Sequence, residues 1–232
     1  MKPVDETWAR AVAVVAHPDD LEYGAASTVA RWTSQGKDVS YVIATSGEAG
    51  IAGMSPAEAG PLREEEERRS AAVVGVNHVE FLGHPDGALE YGLALRRDIA
   101  GAIRRLQPEV VLSMNFELTW GEGAVNHADH RAVGLAVLDA CRDAANEWVF
   151  PEVGPRWGGV QAVYVGGSST PTHYVDVTEF LERGIASLGE HKAYLEGLGS
   201  DFDPAQFLRD RAGYEGMAAG CDLAVLLQHF QV

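Results

Sequence analysis

Apolar residues along the chain follow two alternating periods. The runs Val12 to Val15, Val39 to Ala44, Val79 to Leu82 and Val110 to Met114 are short, mostly apolar and rich in β-branched residues, as expected of strands covered on both faces in a parallel sheet. Between them the spacing changes to three and four. Leu95, Ile99, Ala102, Ile103 and Leu106 fall on one face of a helix, with Arg96, Arg97, Arg104 and Arg105 on other faces and Pro108 beyond the end. A second helix is predicted to open at Pro61 and close at Gly75. In it Glu64 precedes Arg68, and Glu65 precedes Arg69, by four residues, a solvated ion-pair pattern. The acidic run Glu64 to Glu67 is therefore expected to be mainly a wet helix face. Val133, Val137, Cys141 and Ala144 line one side of a third helix that ends at Ala145 and begins near His127 or His130.

A further strand, Val160 to Val165, precedes the turn-rich GGSSTPT, and the C-terminal third holds helical patches interrupted by glycines. Strands alternating with helices indicate βαβ units. The expected architecture is α/β, a mainly parallel sheet with helices on both sides, in a single domain spanning residues 1–232. In such sheets ligands bind beyond the carboxyl ends of the strands.

At that end the first strand runs directly into His17, Pro18, Asp19 and Asp20. Burying two adjacent carboxylates costs several kcal/mol unless a cation or hydrogen bonds compensate. A nucleotide cradle needs glycines and free amides here, whereas Pro18 has no amide hydrogen and the carboxylates repel phosphate. A cation fits better. His17 and Asp20, three apart, can point an imidazole and a carboxylate at one metal. A third ligand must come from elsewhere, and NHADH supplies His127 and His130 beyond the fourth strand. Two histidines and one carboxylate around zinc leave a position open to water, the requirement of a hydrolytic site.

Composition narrows the partners. The 232 residues are 46% hydrophobic and carry a formal charge of −16, a field that repels nucleic acid and anionic membranes. No apolar run approaches the roughly 20 residues of a membrane span, and MKPVDETWAR lacks the apolar core of a secretory signal. A cytoplasmic location is expected. Cys141 and Cys221 form no CxxC motif or disulfide framework.

Five ordered motifs carry a resemblance: HPDDLE at His17 to Glu22, TSGEAG at Thr45 to Gly50, the segment Arg63 to Val76, FLGHPDG at Phe81 to Gly87, and HADH at His127 to His130. Together they resemble the PIG-L/LmbE-type zinc N-deacetylases over about the first 145 residues. The resemblance implies a Rossmann-like three-layer sandwich and hydrolysis of the acetamide of an N-acetylglucosaminyl conjugate or related amino compound. It implies zinc, or Fe2+ as a competing ion, on His17, Asp20 and His130, with Asp19 as general base. It further implies that His127 steadies the oxyanion or protonates the leaving amine, that Asp129 keeps His127 protonated, and that Arg63, at a helix start, binds substrate. Some relatives carry a tyrosine just ahead of HADH, where this chain has Ala124, Val125 and Asn126, and the motif's usual proline is Ala128.

Other residues take simpler expectations. His84-Pro85-Asp86 repeats the HPD string and is read as structural or at the rim; Trp120 and Phe116 either stack on a sugar or pack a loop; His191 is read as a satisfied core or rim histidine; Glu48 faces the site or ends a turn. Two other functions use the same residues: a non-haem iron oxygenase with a His/Asp/His triad, and a non-catalytic Rossmann-like binding module. The expected partner is a small N-acetylated substrate, and homo-oligomer formation is left open.

Overall fold

Alternate residues of a strand face opposite ways, so β2 (Arg10–Val15) feeds two cores at once. Val12 and Val14 pack with Val111, Leu95, Ile99 and Val137 on one side, while Ala11, Ala13 and Val15 pack with Tyr41, Leu112, Val29 and Trp32 on the other. Fully burying one such Leu or Ile side chain contributes roughly 1.5–3 kcal/mol. The computed structural model describes residues 1–120, 123–198 and 203–232. The sheet adds β1 (Lys2–Pro3), β3 (Asp38–Ile43), β4 (His78–Phe81), β5 (Val110–Met114), β6 (Ala162–Gly166), β7 (His173–Asp176) and β8 (Ala224–Gln231), in the order β1-β7-β8-β6-β5-β2-β3-β4. Only β8 is antiparallel to its neighbours among the described residues.

On one face lie α1 (Ala26–Ser34), α2 (Pro56–Val73), α5 (Leu181–Leu188), α6 (Lys192–Leu198) and α7 (Pro204–Ala219), and on the other α3 (Leu93–Leu106) and α4 (Ala128–Ala145). The mainly parallel three-layer α/β expectation is met. The chain runs outward through β2, β3 and β4, then returns to place β5 on the far side of β2. The carboxyl ends of β2 and β5 thus flank a topological switch point, where an open α/β sheet leaves a crevice.

Three expectations are corrected. Helix α2 starts at Pro56 rather than Pro61, because Ser55 and Glu58 cap it: the Ser55 amide donates to Glu58 Oε2 at 3.2 Å, and Pro61 falls inside the helix. The acidic run is wet only in its first half. Glu64 and Glu65 pair with Arg68 and Arg69, but Glu66 and Glu67 are buried, on the face that α5 and α6 cover. Arg104, expected on a face other than the apolar one, is buried, and it caps the end of α4 by donating to the carbonyls of Asp143 (3.0 Å), Ala144 (3.2 Å), Asn146 (2.8 Å) and Val149 (2.8 Å).

Candidate active site

The turn after β2 is closed by its own carboxylate. Asp20 Oδ2 accepts from the amides of Ala16 (3.0 Å) and His17 (2.8 Å), and Asp19 between them takes φ +88°, a region that non-glycine residues rarely adopt. Two buried partners hold Asp19 there. Its amide donates to Glu67 Oε2 at 3.1 Å, and its Oδ2 accepts from Arg63 Nη2 at 2.8 Å. Arg63 also donates to Pro18 O (2.7 Å) and Gly47 O (2.8 Å), and it stands over the Tyr194 ring, 4.7 Å from its centroid. Arg63 lies well inside α2, not at its start.

The second segment arrives from β5. His127 caps α4, which sets His130 one turn in. Asn126 fixes this entry: its Nδ2 donates to Asn115 O and Glu117 O, both at 3.0 Å, and its Oδ1 lies 2.9 Å from His130 Nδ1. An amide oxygen only accepts, so His130 carries its hydrogen on Nδ1 and turns a lone pair on Nε2 into the crevice. There His130 Nε2 lies 3.2 Å from His17 Nδ1 and 3.2 Å from Asp20 Oδ1, with His17 Nδ1 3.6 Å from Asp20 Oδ2. Tetrahedral zinc, with bonds of about 2.0–2.2 Å, spans ligand-to-ligand edges of about 3.3–3.6 Å. The trio fits such an ion.

The other nitrogen of His17 is also engaged. Nε2 lies 3.2 Å from Asp129 Oδ2 and 3.1 Å from Asp86 Oδ1, and Asp129 is itself fixed by the amides of Gly87 (2.7 Å) and Leu89 (3.2 Å). A carboxylate behind a ligating imidazole sets its tautomer and orientation. This departs from the expected pairing of Asp129 with His127. Only the Asp129 amide reaches His127, donating to Nδ1 at 3.3 Å, because the Asp129 carboxylate is spent on His17 and the Gly87 loop. His127 is thereby a neutral imidazole with its hydrogen on Nε2, and burial and the nearby His17 hold it below the usual histidine range.

Burial opposes charge on His17, yet Asp20, Asp129 and Asp86 outweigh it and push His17 up to about 12. Asp20 is held below the ordinary carboxylate range: burial opposes this, and His130 and His17 prevail. Asp19 goes the other way. Burial raises it and Asp20 adds to the rise, against the pull of Arg63 and His17.

A cavity of about 370 Å³ opens over these groups, lined by His17, Asp19, Asp20, Arg63, His127 and His130. Trp120 also lines it, edge-on to His130 with centroids 5.5 Å apart, whereas Phe116 packs beneath against Phe230 and Gly134. Tyr23 and Tyr194 also line the cavity. His84 turns out to Asp98 at 3.1 Å, and Glu48 Oε1 accepts from the Asp86 amide at 2.9 Å. Asp86, read from the sequence as structural or at the rim, lines the cavity and reaches His17, and Asn126 is a residue at the site that sequence reasoning missed, its signal the asparagine of NHADH. Alternative groupings of His17 with His127 and His130, or with Asp86 and Asp129, bring one ligand atom each within 4.8 Å of one another.

Among the described residues no helix is long and apolar enough to cross a membrane. A diacetylchitobiose deacetylase of Thermococcus kodakarensis is 30% identical over 212 residues, covering 88% of this chain and 76% of that protein. The structure of N,N'-diacetylchitobiose deacetylase from Pyrococcus horikoshii superposes with a TM-score of 0.86 at 22% identity, covering 97% of this chain and 85% of that one. GalB, a 4-carboxy-2-hydroxymuconate hydratase from Pseudomonas putida KT2440, superposes with a TM-score of 0.79 at 21% identity, covering 97% of each chain. At such identities the two structures show a shared fold. The profile described as PIG-L: GlcNAc-PI de-N-acetylase matches residues 12–141, the span that holds His17, Asp19, Asp20, Arg63, His127 and His130, and the chain belongs to the PIG-L family.

Proposed function

We propose that the protein is a zinc-dependent hydrolase that removes the N-acetyl group from an N-acetylglucosaminyl conjugate. The observation that carries this reading is the convergence of His17 Nδ1, His130 Nε2 and the Asp20 carboxylate within 3.6 Å of one another, beside a second, ion-paired carboxylate on Asp19. Two imidazoles and one carboxylate form the donor set of an open catalytic zinc site, with Fe2+ as a competing occupant. An ion bound there would supply hydroxide near neutral pH and polarise the acyl carbonyl.

The chain's own groups do the rest. Asp19, raised by burial, accepts the proton of the attacking water and then returns it to the departing nitrogen, since an amine leaves an amide only when protonated. Arg63 keeps Asp19 aimed. Its guanidinium is committed to Asp19, Pro18 and Gly47, so it acts as a positioning residue rather than a free substrate hook. His127 donates Nε2–H to the developing oxyanion, and its occupied Nδ1 argues against an imidazolium proton donor. Trp120 offers an apolar face to a sugar ring.

The oxygenase reading loses support, because its usual setting is a double-sheet jelly roll and this sheet is mainly parallel. The test is release of free amine from N-acetylglucosamine, diacetylchitobiose and N-acetylglucosaminyl-inositol, with and without chelator, run beside hydration of 4-carboxy-2-hydroxymuconate. Chelator-sensitive amine release, lost in Asp19→Asn, is expected. Hydration with no amine from any acetamide would overturn the reading.

A further inference from the structure

Behind the catalytic turn lies a second cluster of titratable groups, of which the proposed reaction uses only one oxygen of Glu67, to hold the Asp19 amide. Glu22 follows the turn, Glu67 is on α2 and His191 joins α5 to α6; their side chains are 0%, 1% and 0% exposed. Each carboxylate is half satisfied. Glu22 Oε1 accepts from Ser70 Oγ at 2.7 Å, and Glu67 Oε2 accepts from the Asp19 amide at 3.1 Å. Among the described residues, Glu22 Oε2, Glu67 Oε1 and both ring nitrogens of His191 have no hydrogen-bond partner. Histidine was expected to be satisfied here, and it is not.

The separations explain why. His191 Nε2 stands 3.8 Å from Glu22 Oε2 and 3.6 Å from Glu67 Oε2, beyond hydrogen-bond reach. Those spacings are close to the ligand-to-ligand edges around a divalent ion. One ligand atom from each residue lies within 4.8 Å of the others. Among the described residues, the ion pairs of Glu22 and Glu67 are with His191 only, so two carboxylates share a dry site with one imidazole. A dication with two carboxylates and a neutral imidazole sums to zero charge, which is what a buried cluster needs.

We propose that Glu22, Glu67 and His191 form a second, closed divalent-cation site, structural in role, taking Zn2+ or a similar imidazole- and carboxylate-binding ion. The ion would tie three segments together and brace Glu67, whose other contact holds the Asp19 amide. The inference is independent of the proposed deacetylation.

The experiment is metal analysis of full-length protein purified from zinc-supplemented cells without chelator, joined to anomalous diffraction at the zinc edge. About two ions per chain are expected in the wild type, and about one in each of His191→Leu and His130→Ala. An anomalous peak among Glu22, Glu67 and His191 is expected in the wild type, and that map decides the matter if His191→Leu does not fold. A single wild-type ion that survives His191→Leu and is lost in His130→Ala, with no peak in the cluster, overturns the inference. A single ion lost in His191→Leu and kept in His130→Ala supports it and removes instead the proposed catalytic site.

Discussion

Replacing Arg63 by Gln removes the cation that lies 2.8 Å from Asp19 Oδ2, in a pair whose side chains are 3% and 8% exposed. Charges about 4 Å apart at an effective dielectric of about 20 interact by about 4 kcal/mol, an upper limit of about 3 pKa units at 1.36 kcal/mol each. Opposite charges in such contact shift a carboxyl by about 1–3 units. Arg63 favours the charged carboxylate, so its loss raises the Asp19 pKa. A base must be ionised to act, and the acidic limb of kcat/KM should therefore move to higher pH by about 1–3 units. Below the limb the rate at fixed pH should fall by about 10- to 1000-fold, and it should recover as pH rises. The charge of a bound ion is common to both proteins and drops out of the difference. The assay is a pH–rate profile of zinc-loaded wild type, Arg63→Gln and Arg63→Lys, the last expected to restore part of the shift. Gly50→Ala should move the limb the same way, because a Cβ there collides with the Arg63 guanidinium. If KM rises and the limb stays in place, Arg63 is a substrate contact and the reasoning is wrong.

Asp19→Asn should keep its zinc by metal analysis yet lose about 10²- to 10⁴-fold in kcat, whereas His17→Ala and Asp20→Ala should lose the catalytic ion; an Asp19→Asn protein of near wild-type rate would remove the base. Because His17 is pushed up to about 12 in the metal-free protein, it is an imidazolium at neutral pH, so zinc binding there should release about one proton. Calorimetry in buffers of different ionisation enthalpy reads that proton, and an enthalpy independent of buffer would refute it. Arg104→Met should lower the urea-unfolding free energy by about 3 kcal/mol or more, since it strips the carbonyls at the end of α4 of their buried donor; a loss below about 1 kcal/mol would show that water replaces it.

The candidate trio was legible because His17 and Asp20 sit where an apolar run stops and His130 belongs to a second histidine motif. His17 and Asp20 follow the end of β2, and His130 lies one turn inside α4, behind its His127 cap. Strands β2, β3, β5 and β6 were legible as covered runs, whereas β4, expected to be covered too, is the sheet's edge and only half-buried. Glu66 and Glu67 were not. Their neighbours satisfy the spacing of a solvated helix, and only the packing of α5 and α6 onto α2 shows that half of the run is dry. Arg63 was legible as a candidate, but its hydrogen bonds to Asp19, Pro18 and Gly47 were not, because they reach across sequence separations of 44, 45 and 16. His84-Pro85-Asp86 was read as one unit, but its two ends part: His84 faces outward to Asp98, while the Asp86 carboxylate turns in to His17. Strand β8, AVLLQHFQ, mixes buried and half-buried positions without strict alternation, so its period alone gave little.

The same sheet carries a hydratase, so the fold leaves the reaction open and the groups at the switch point must decide it. Amide hydrolysis asks for a group that first takes a proton from water and then holds it long enough to give it to nitrogen. An exposed aspartate is too weak a base and loses the proton too readily. Asp19 escapes this limit through two opposed effects: burial raises it, and Arg63 pulls against the rise. Its left-handed backbone and the Glu67 contact to its amide hold it beside the Asp20 carboxylate, apart from the proposed ligands His17, Asp20 and His130. The division of labour between adjacent carboxylates therefore rests on buried partners from α2. Loosening Glu67, for instance as Glu67→Leu, should lower kcat more than it weakens the catalytic ion, and equal losses of both would show that Asp19 and Asp20 move as one unit.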